Sequence, residues 1–355
     1  MASLKKEFIH ESSVPNNKID ISADPNIRAK VLKSKNDDEL KIKFKGTSVD
    51  ASIINALRRT ILMKIPVYGF NRENIFVDVK KTRTMYNNHM LYNLFETLPL
   101  FDIDNDFDLE HPDIYLTGDL QKHLYGFFNN TQSKTVKKSK DKVLDIEISL
   151  NYRNTSENNV FITTHHLTLK INGNDADNYL NRPSVSILVL RPGEEISMRA
   201  VANLGIAQLN ATYEATTNAI HHMISDTEYD LIYSTLGQLN KESIFEKACK
   251  IIIAKLNNLK KFLVEEYPDD RDPKEKINIT LVGEEHTLGN LLSTVLQKCE
   301  YTDKAAYVMK SPFVNEIDII YKLNKKSKKK PIKVIIDCIS YLIKVFETIY
   351  EQIFG

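Results

Sequence analysis

The chain has 355 residues, with 48 Lys and Arg against 47 Asp and Glu and a net charge of +1. Such a balance supplies no global field toward nucleic acid or a membrane surface, and 42% hydrophobic with 27% charged residues is an ordinary globular composition, long enough for two or three domains. No apolar run approaches the roughly 18 residues of a membrane span, and the N-terminal MASLKKEFIH lacks the apolar core of a secretory signal. Cys249, Cys299 and Cys338 are odd in number and show no CxxC spacing, which argues against a disulfide framework or a structural zinc site and for a reducing compartment.

Residues 1–36 are polar and aperiodic and read as an extended arm. An alternating strand over 38–46 carries Leu40, Ile42 and Phe44 on one face and closes at Gly46. A helix follows over 50–64, with Ser48 or Asp50 able to accept its first N–H groups and Pro66 to stop it. Ile53, Ile54, Ala56, Leu57 and Ile61 form its apolar arc, and Asn55, Arg58 and Arg59, at i, i+3 and i+4, form a compact polar face that on a single helix reads as solvated surface. A strand over 67–81 and a short helix from Asn88, ended by Pro99, come next. Residues 101–185 begin acidic, pass a lysine-rich loop (Lys134–Lys142) and hold short strands at 143–152 and 160–171, the pattern of a small β-rich insert. Strand signals at 186–190 and 196–202 lead through a glycine-containing loop at 203–207 toward a helix near 211–224. A long helix then carries Phe245, Ala248, Ile252, Leu256, Leu259 and Leu263, spaced 3-4-4-3-4, close to a coiled-coil seam.

The segment Tyr267–Pro273, with two prolines and four charges, reads as a linker. Beyond it the first pattern recurs. Ile277, Ile279, Leu281 and Gly283 repeat Leu40, Ile42, Phe44 and Gly46, and Thr287–Leu292 repeats Ser52–Leu57 after a loop two residues shorter. Thr287 is placed to cap the second helix, whose apolar face is Leu288, Leu291, Leu292, Val295 and Leu296. Strands at 305–309 and 317–323, a basic loop Asn324–Lys330 and a last helix with Ile335, Ile339, Leu342, Phe346, Ile349 and Ile353, spaced 4-3-4-3-4, complete the chain. Two copies this far apart imply two related domains rather than a solenoid. Their terminal seams either bury each other or pack each on its own sheet.

Sharper chemistry does not emerge. Counted from Asp102, an EF-hand needs Gly at Phe107 and Glu at Asp113, and both fail, so Asp102, Asp104, Asp106 and Asp108 make a poor metal set. Neighbouring side chains in His165-His166 and His221-His222 diverge on a strand or helix. The lysine runs 134–142 and 325–330 read as solvated loops, with contact to phosphates as the alternative: a nucleic-acid-binding accessory module. No Ser/His/Asp arrangement, GxGxxG or Walker loop is present.

The stretch Asn55-Ala56-Leu57-Arg58-Arg59 with Ile65-Pro66-Val67, followed by His89–Leu100, Leu190–Glu195 and Arg199–Ala207, resembles the α-type subunits of multisubunit DNA-directed RNA polymerases: bacterial α, its archaeal counterpart and the third-largest subunit of polymerase II. Glu285–Leu292, Ala305-Ala306-Tyr307 and Ser311-Pro312-Phe313 resemble the eleventh subunit of polymerase II and its smaller archaeal homologue. Both in one chain resemble the form found in large cytoplasmic DNA viruses. The resemblance implies an α+β fold of two ferredoxin-like dimerisation halves, at 37–100 with 186–266 and at 275–355, joined by a linker at 267–274, with the insert at 101–185. It implies a non-catalytic platform on which the largest and second-largest polymerase subunits and other small subunits assemble, in host cytoplasm and virion for a virus. DNA is then met only through the complex, and neither a membrane nor a cofactor is involved. It assigns Asn55, Arg58, Arg59 and Gly205 to a large-subunit interface and Asn290 to the corresponding face of the second half. Leu57, Ile61, Leu291, Leu292 and Val295 are expected between the halves. The zinc-bound cysteine loop or iron–sulfur cluster of some relatives has no counterpart, since no cysteine precedes Cys249, and Leu209–Tyr213 stands where the family carries His-Ala-Lys-Trp.

Overall fold

The computed structural model describes residues 9–10, 18–103, 144–176, 182–267, 276–311, 316–325, 327 and 329–355. In chain order the strands are β1 (Ile9–His10), β2 (Arg28–Leu32), β3 (Glu39–Lys45), β4 (Val67–Val77), β5 (Ile146–Arg153), β6 (Val160–Thr163), β7 (Thr168–Ile171), β8 (Asn174–Ala176), β9 (Ser186–Leu190), β10 (Glu195–Gly205), β11 (Ile220–Ser225), β12 (Glu228–Ser234), β13 (Ile277–Val282), β14 (Thr302–Met309) and β15 (Glu316–Leu323). The helices are α1 (Ala51–Met63), α2 (Asn88–Glu96), α3 (Lys241–Glu266), α4 (His286–Lys298) and α5 (Pro331–Phe354).

The two copies of the sequence repeat fold alike. The first sheet has the antiparallel order β11-β12-β3-β2 and the second β1-β14-β15-β13, so each copy is a strand, a helix, a hairpin and a long helix, with the hairpin's second strand beside the opening strand. The likeness reaches single hydrogen bonds. Tyr233 lies opposite Leu40 and donates to the Lys241 carbonyl at 2.6 Å; Tyr321 lies opposite Ile277 and donates to the Pro331 carbonyl at 2.8 Å. In both copies a buried tyrosine thus ties the hairpin to the first turn of the following helix. Gly46 and Gly283, which end the opening strands, have φ of 144° and 85°, a region that a side chain disfavours. The closing strand of a ferredoxin-like βαββαβ unit is absent from the described residues of both copies. Instead, the N-terminal segment supplies the fourth strand: β2 on β3, and β1 on β14.

That segment, expected as an arm, is packed from Lys18 to Leu32 rather than merely extended. Ile19 donates to the Lys298 carbonyl at 2.8 Å, and Lys18 Nζ donates to the carbonyls of Gln297, Cys299 and Thr302 at 2.9, 3.3 and 2.8 Å, placing a cation on the negative end of α4. At the other end Gln352 of α5 brackets β2, accepting from Ala29 N and donating to the Ile27 carbonyl. The arm therefore touches both copies of the repeat.

Phe245, Ala248, Leu256, Leu259 and Leu263 of α3 and Ile335, Ile339, Leu342, Phe346 and Ile349 of α5 are buried in one continuous core, and α3 packs along α5. The two seams cover each other. A second core lies between α2, the five-stranded sheet β4-β10-β5-β7-β8 and the ribbon β6-β9. The division of cores differs from the expected insert at 101–185. Strands β4 and β10, assigned by sequence to the first half, pair with each other, and β10 pairs with β5, so the buried apolar residues described between 68 and 202 belong to the second core. Alternation along a strand identifies its two faces but not its partner strand.

Two further expectations are corrected. Residues 211–224 form a single 3-10 turn, Ala211–Tyr213, and then β11, because Thr216, Thr217, Ile220 and Ile224 are β-branched and lack a helical stripe. The 203–207 loop is mostly strand: Gly205 ends β10, opposite Val67, and is buried. A Cβ there would lie 2.6 Å from the Tyr213 ring, which is held by its hydroxyl donating to Asn203 Oδ1 at 3.1 Å. Gly205→Ala is expected to cost about 1–3 kcal/mol of stability, read by urea unfolding; an unchanged midpoint would show that the Tyr213 ring yields freely.

Candidate functional site

Helix α1 starts at Asp50, whose Oδ1 accepts from Ser52 N and Ile53 N at 2.8 and 3.1 Å. Of the two candidate caps, Asp50 is the one used; the Ser48 hydroxyl instead accepts from Asn26 N and from the Tyr341 hydroxyl of α5. The second carboxylate oxygen of Asp50 takes Lys298 Nζ at 2.9 Å, from the last residue of α4. At the opposite end, Arg59 Nε donates to Thr287 Oγ1 at 2.7 Å and its guanidinium lies 3.6 Å from Glu285 at the N-cap of α4. The helices therefore run antiparallel, and the acid at each N-cap meets a cation from the other helix. Both acids also sit where the helix dipole favours negative charge.

Thr287, expected to cap α4, lies inside its first turn. Glu285 occupies the N-cap with no capping side-chain bond, and the Thr287 hydroxyl accepts from Arg59 instead. Between these ends Leu57, Ile61, Leu291, Leu292 and Val295 are all buried within the core shared by the two copies.

A charged cluster closes one side of the crossing, around a cavity of about 40 Å³ lined by α1, α3, residues 283–285 and the first turns of α4. Lys255 of α3 lies 2.7 Å from Glu284, whose side chain is only 2% exposed, and Gln208 donates to Glu285 at 2.8 Å. Burial, helped by the nearby Lys255 charge, lowers the Lys64 ammonium to about 7, with Glu284 and Glu285 opposing.

The polar face of α1 is split by these contacts. Arg59 turns inward to α4, whereas Arg58 Nε donates to Asn55 Oδ1 at 3.0 Å and, among the described residues, has no carboxylate within ion-pair reach. Burial and the neighbouring Arg59 charge both lower the Arg58 pKa. Asn290 is half-buried on α4, its carbonyl accepting from Ser293, and takes no part in the Arg59 cluster. Gly205, buried beneath Tyr213, is likewise separate from the Arg59 cluster. The inward commitment of Arg59 has no signal in the sequence, because it needs the register of α1 against α4, which neither helix's own spacing contains.

Among the described residues no group of His, Cys, Asp and Glu is arranged to hold a metal, and the three cysteines are buried free thiols. Asp102 instead pairs with Arg182 at 2.8 Å, while Asp104, Asp106 and Asp108 and the Lys134–Lys142 run lie outside the described residues. Lys329 is held by Asp337 at 3.3 Å and by the Tyr301 ring at 4.0 Å, so it is not a free phosphate ligand. No described helix is long and apolar enough to cross a membrane.

Residues 276–352, which contain nearly all of the second copy, match the RNA polymerase Rpb3/Rpb11 dimerisation domain. Over 342 residues, 94% of this chain and 96% of the relative, the sequence is 46% identical to a protein of Acanthamoeba polyphaga mimivirus that carries the name of a putative DNA-directed RNA polymerase subunit. The chain belongs to the α-type (Rpb3/Rpb11) subunits of multisubunit DNA-directed RNA polymerases. In this α-type subunit the matched residues span α4, the strands β13, β14 and β15 and nearly all of α5, so α4 and its side of the reciprocal N-cap contacts lie in the dimerisation domain, while α1 lies outside the match.

Two expected outcomes test the charged cluster. Lys255→Ala strands a buried Glu284 and should cost about 3 kcal/mol; adding Glu284→Gln should recover most of it, and a double variant no better than the single would refute the pairing. Lys64 titrates lower in the folded state than its ordinary 10.5. The unfolded chain then binds more protons between the two values, so Lys64 makes stability rise as pH climbs from about 7 toward 10.5, its cost being fully present below that window. Lys64→Met should therefore be more stable than wild type at about pH 6.5 and lose that advantage by about pH 9.5 in urea unfolding; a gap independent of pH would refute it.

Proposed function

We propose that this α-type polymerase subunit is an intramolecular dimer that serves as the assembly platform for the two large catalytic subunits of a viral DNA-directed RNA polymerase. The observation that carries the reading is the single core spanning both copies of the repeat, built from α1 against α4 and α3 against α5. On this reading one dimerisation half comprises β2, β3, α1, β11, β12 and α3, and the other runs from residue 276 to the C-terminus. The β4–β10 sheet with α2 forms a separate domain grown from the first half.

The outward part of α1, Asn55 and Arg58, is proposed as contact for the second-largest subunit, with Asn290 toward the largest. Arg59 acts from within, fixing α1 on α4. An arginine is suited to the outward role, since its planar guanidinium pairs bidentately with carboxylates and is enriched in interfaces. The subunit itself contributes no catalytic group on this reading; the reaction belongs to the large subunits it gathers. The viral origin of the mimivirus relative supports work in host cytoplasm, and packaging into the virion is the further step of the same reading.

Affinity purification of the tagged full chain from cells making the native polymerase should recover two very large chains, with DNA-templated RNA synthesis in the eluate. Asn55→Ala with Arg58→Ala should lower that recovery roughly tenfold, as truncated interface hot spots do. A chain that purifies alone at ordinary salt would overturn the platform role, and unchanged recovery by the double variant would remove Asn55 and Arg58 from it.

A further inference from the structure

The free sheet edges of the two copies are treated differently. The β14 side of the second sheet is covered by β1. On β2 the backbone is bracketed by Gln352, and Arg28 and Lys30 place charge on the strand. Strand β13, also an uncharged edge, alternates buried Ile277, Ile279 and Leu281 with outward Asn278 and Thr280, and exposes a single apolar side chain, Val282, at its end. Strand β11 has no cover among the described residues and no charged side chain, and its one irregularity is a bulge between Met223 and Ser225 near its C-terminal end. Among the described residues it pairs on one side only, with β12, and its sequence Ile-His-His-Met-Ile-Ser carries no Lys, Arg, Asp, Glu or Pro. Ile220, Met223 and Ile224 are 45%, 57% and 53% exposed, on both faces of the strand. Edges of this kind are ordinarily blunted by charge, proline or a cover, because their unpaired N–H and C=O groups template another strand.

A second observation sets the chemistry of what pairs there. Strand β11 packs beside α1, and His221 lies close enough to Arg58 for the arginine's charge to lower its pKa, after the larger effect of burial. Arg58 is half-buried and lacks an acidic partner among the described residues, whereas Arg59 next to it has Glu285. An unneutralised, partly desolvated guanidinium at the end of an open, apolar strand edge fits an incoming carboxylate. A second copy of this chain fits worse. Pairing β11 with its own symmetry mate would bring two copies of Arg58 toward one seam with no acid on either strand to separate them.

We propose that β11 receives an extended segment of a large polymerase subunit as an added strand, apolar side chains covering Ile220, Met223 and Ile224 and a carboxylate meeting Arg58. This rests on the platform reading and specifies how its Asn55–Arg58 face is completed. Backbone pairing supplies the affinity in such a mode, and the flanking side chains the specificity.

The test uses the tagged full chain co-expressed with the remaining polymerase subunits. In the wild-type complex, amide hydrogen exchange at residues 220–225 should slow by roughly tenfold or more relative to the isolated chain, as for newly paired strand amides. Met223→Lys with Ile224→Lys, both at exposed positions, should leave circular dichroism and the melting midpoint unchanged and cut recovery of the large subunit roughly tenfold. If wild type captures the large subunits while the 220–225 amides stay unprotected, and the double lysine variant captures equally well, strand addition is wrong and the platform reading stands. If wild type captures nothing, both fail. If the same amides are already protected in an isolated chain that elutes as a dimer, the occupant is a second copy and the proposal is overturned.

Discussion

Everything in the molecule hangs on the antiparallel crossing of α1 and α4. Each helix carries its acid at the N-cap and its cation near the other end, so only one relative direction brings Asp50 to Lys298 and Glu285 to Arg59 at once. A parallel crossing would set acid against acid and cation against cation. In such largely buried pairs the cost of desolvation offsets much of the Coulombic attraction, and the buried Leu57, Ile61, Leu291, Leu292 and Val295 supply far more through apolar burial. Apolar faces are poor judges of direction, however. The charges choose the orientation and the core provides the stability.

From that crossing the remaining contacts follow as layers. The long helices α3 and α5, each tied to its own hairpin by Tyr233 or Tyr321, are brought side by side with their seams facing. The N-terminal segment then runs from the end of α4, where Lys18 meets three carbonyls, to β2 at the edge of the first sheet. This segment thus joins the copies in addition to the covalent continuity of the chain between them. Covalent connection makes the pairing of the copies an intramolecular event with a high effective concentration. The crossing contacts need only select the right geometry, not hold two separate chains together.

Much of this is legible in residues. The repeat is visible because strand period, glycine position and helix spacing recur together, and the seams of α3 and α5 because a 3-4 alternation sustained over several turns has one structural meaning. Asp50 stands among the candidate caps for the same local reason. What is illegible is non-local. The pairing of β10 with β4 and β5 rather than with the first sheet, the burial of Gly205 under Tyr213, and the turn of Arg59 toward Thr287 each depend on a partner outside the local pattern. The helix expected near 211–224 fails differently: the segment is β-branched and unstriped, so its local preference is for strand even though it follows a loop that suggests a helix start.

The division of labour between Arg58 and Arg59 shows how the inner and outer surfaces are coupled. The two arginines are adjacent, and their like charges raise the cost of holding either in a half-buried place. Glu285 and Thr287 relieve Arg59, and nothing among the described residues does the same for Arg58 except the amide oxygen of Asn55. A polar face that is neutralised on its inner side and left positive on its outer side is directional: among the described residues its charge is met where the copies join. The unmet charge points to the same flank as the unpaired edge of β11. An assembly subunit with no large overall charge can therefore still present one local demand, for a carboxylate and a strand together, and that conjunction restricts its partner more than either feature alone.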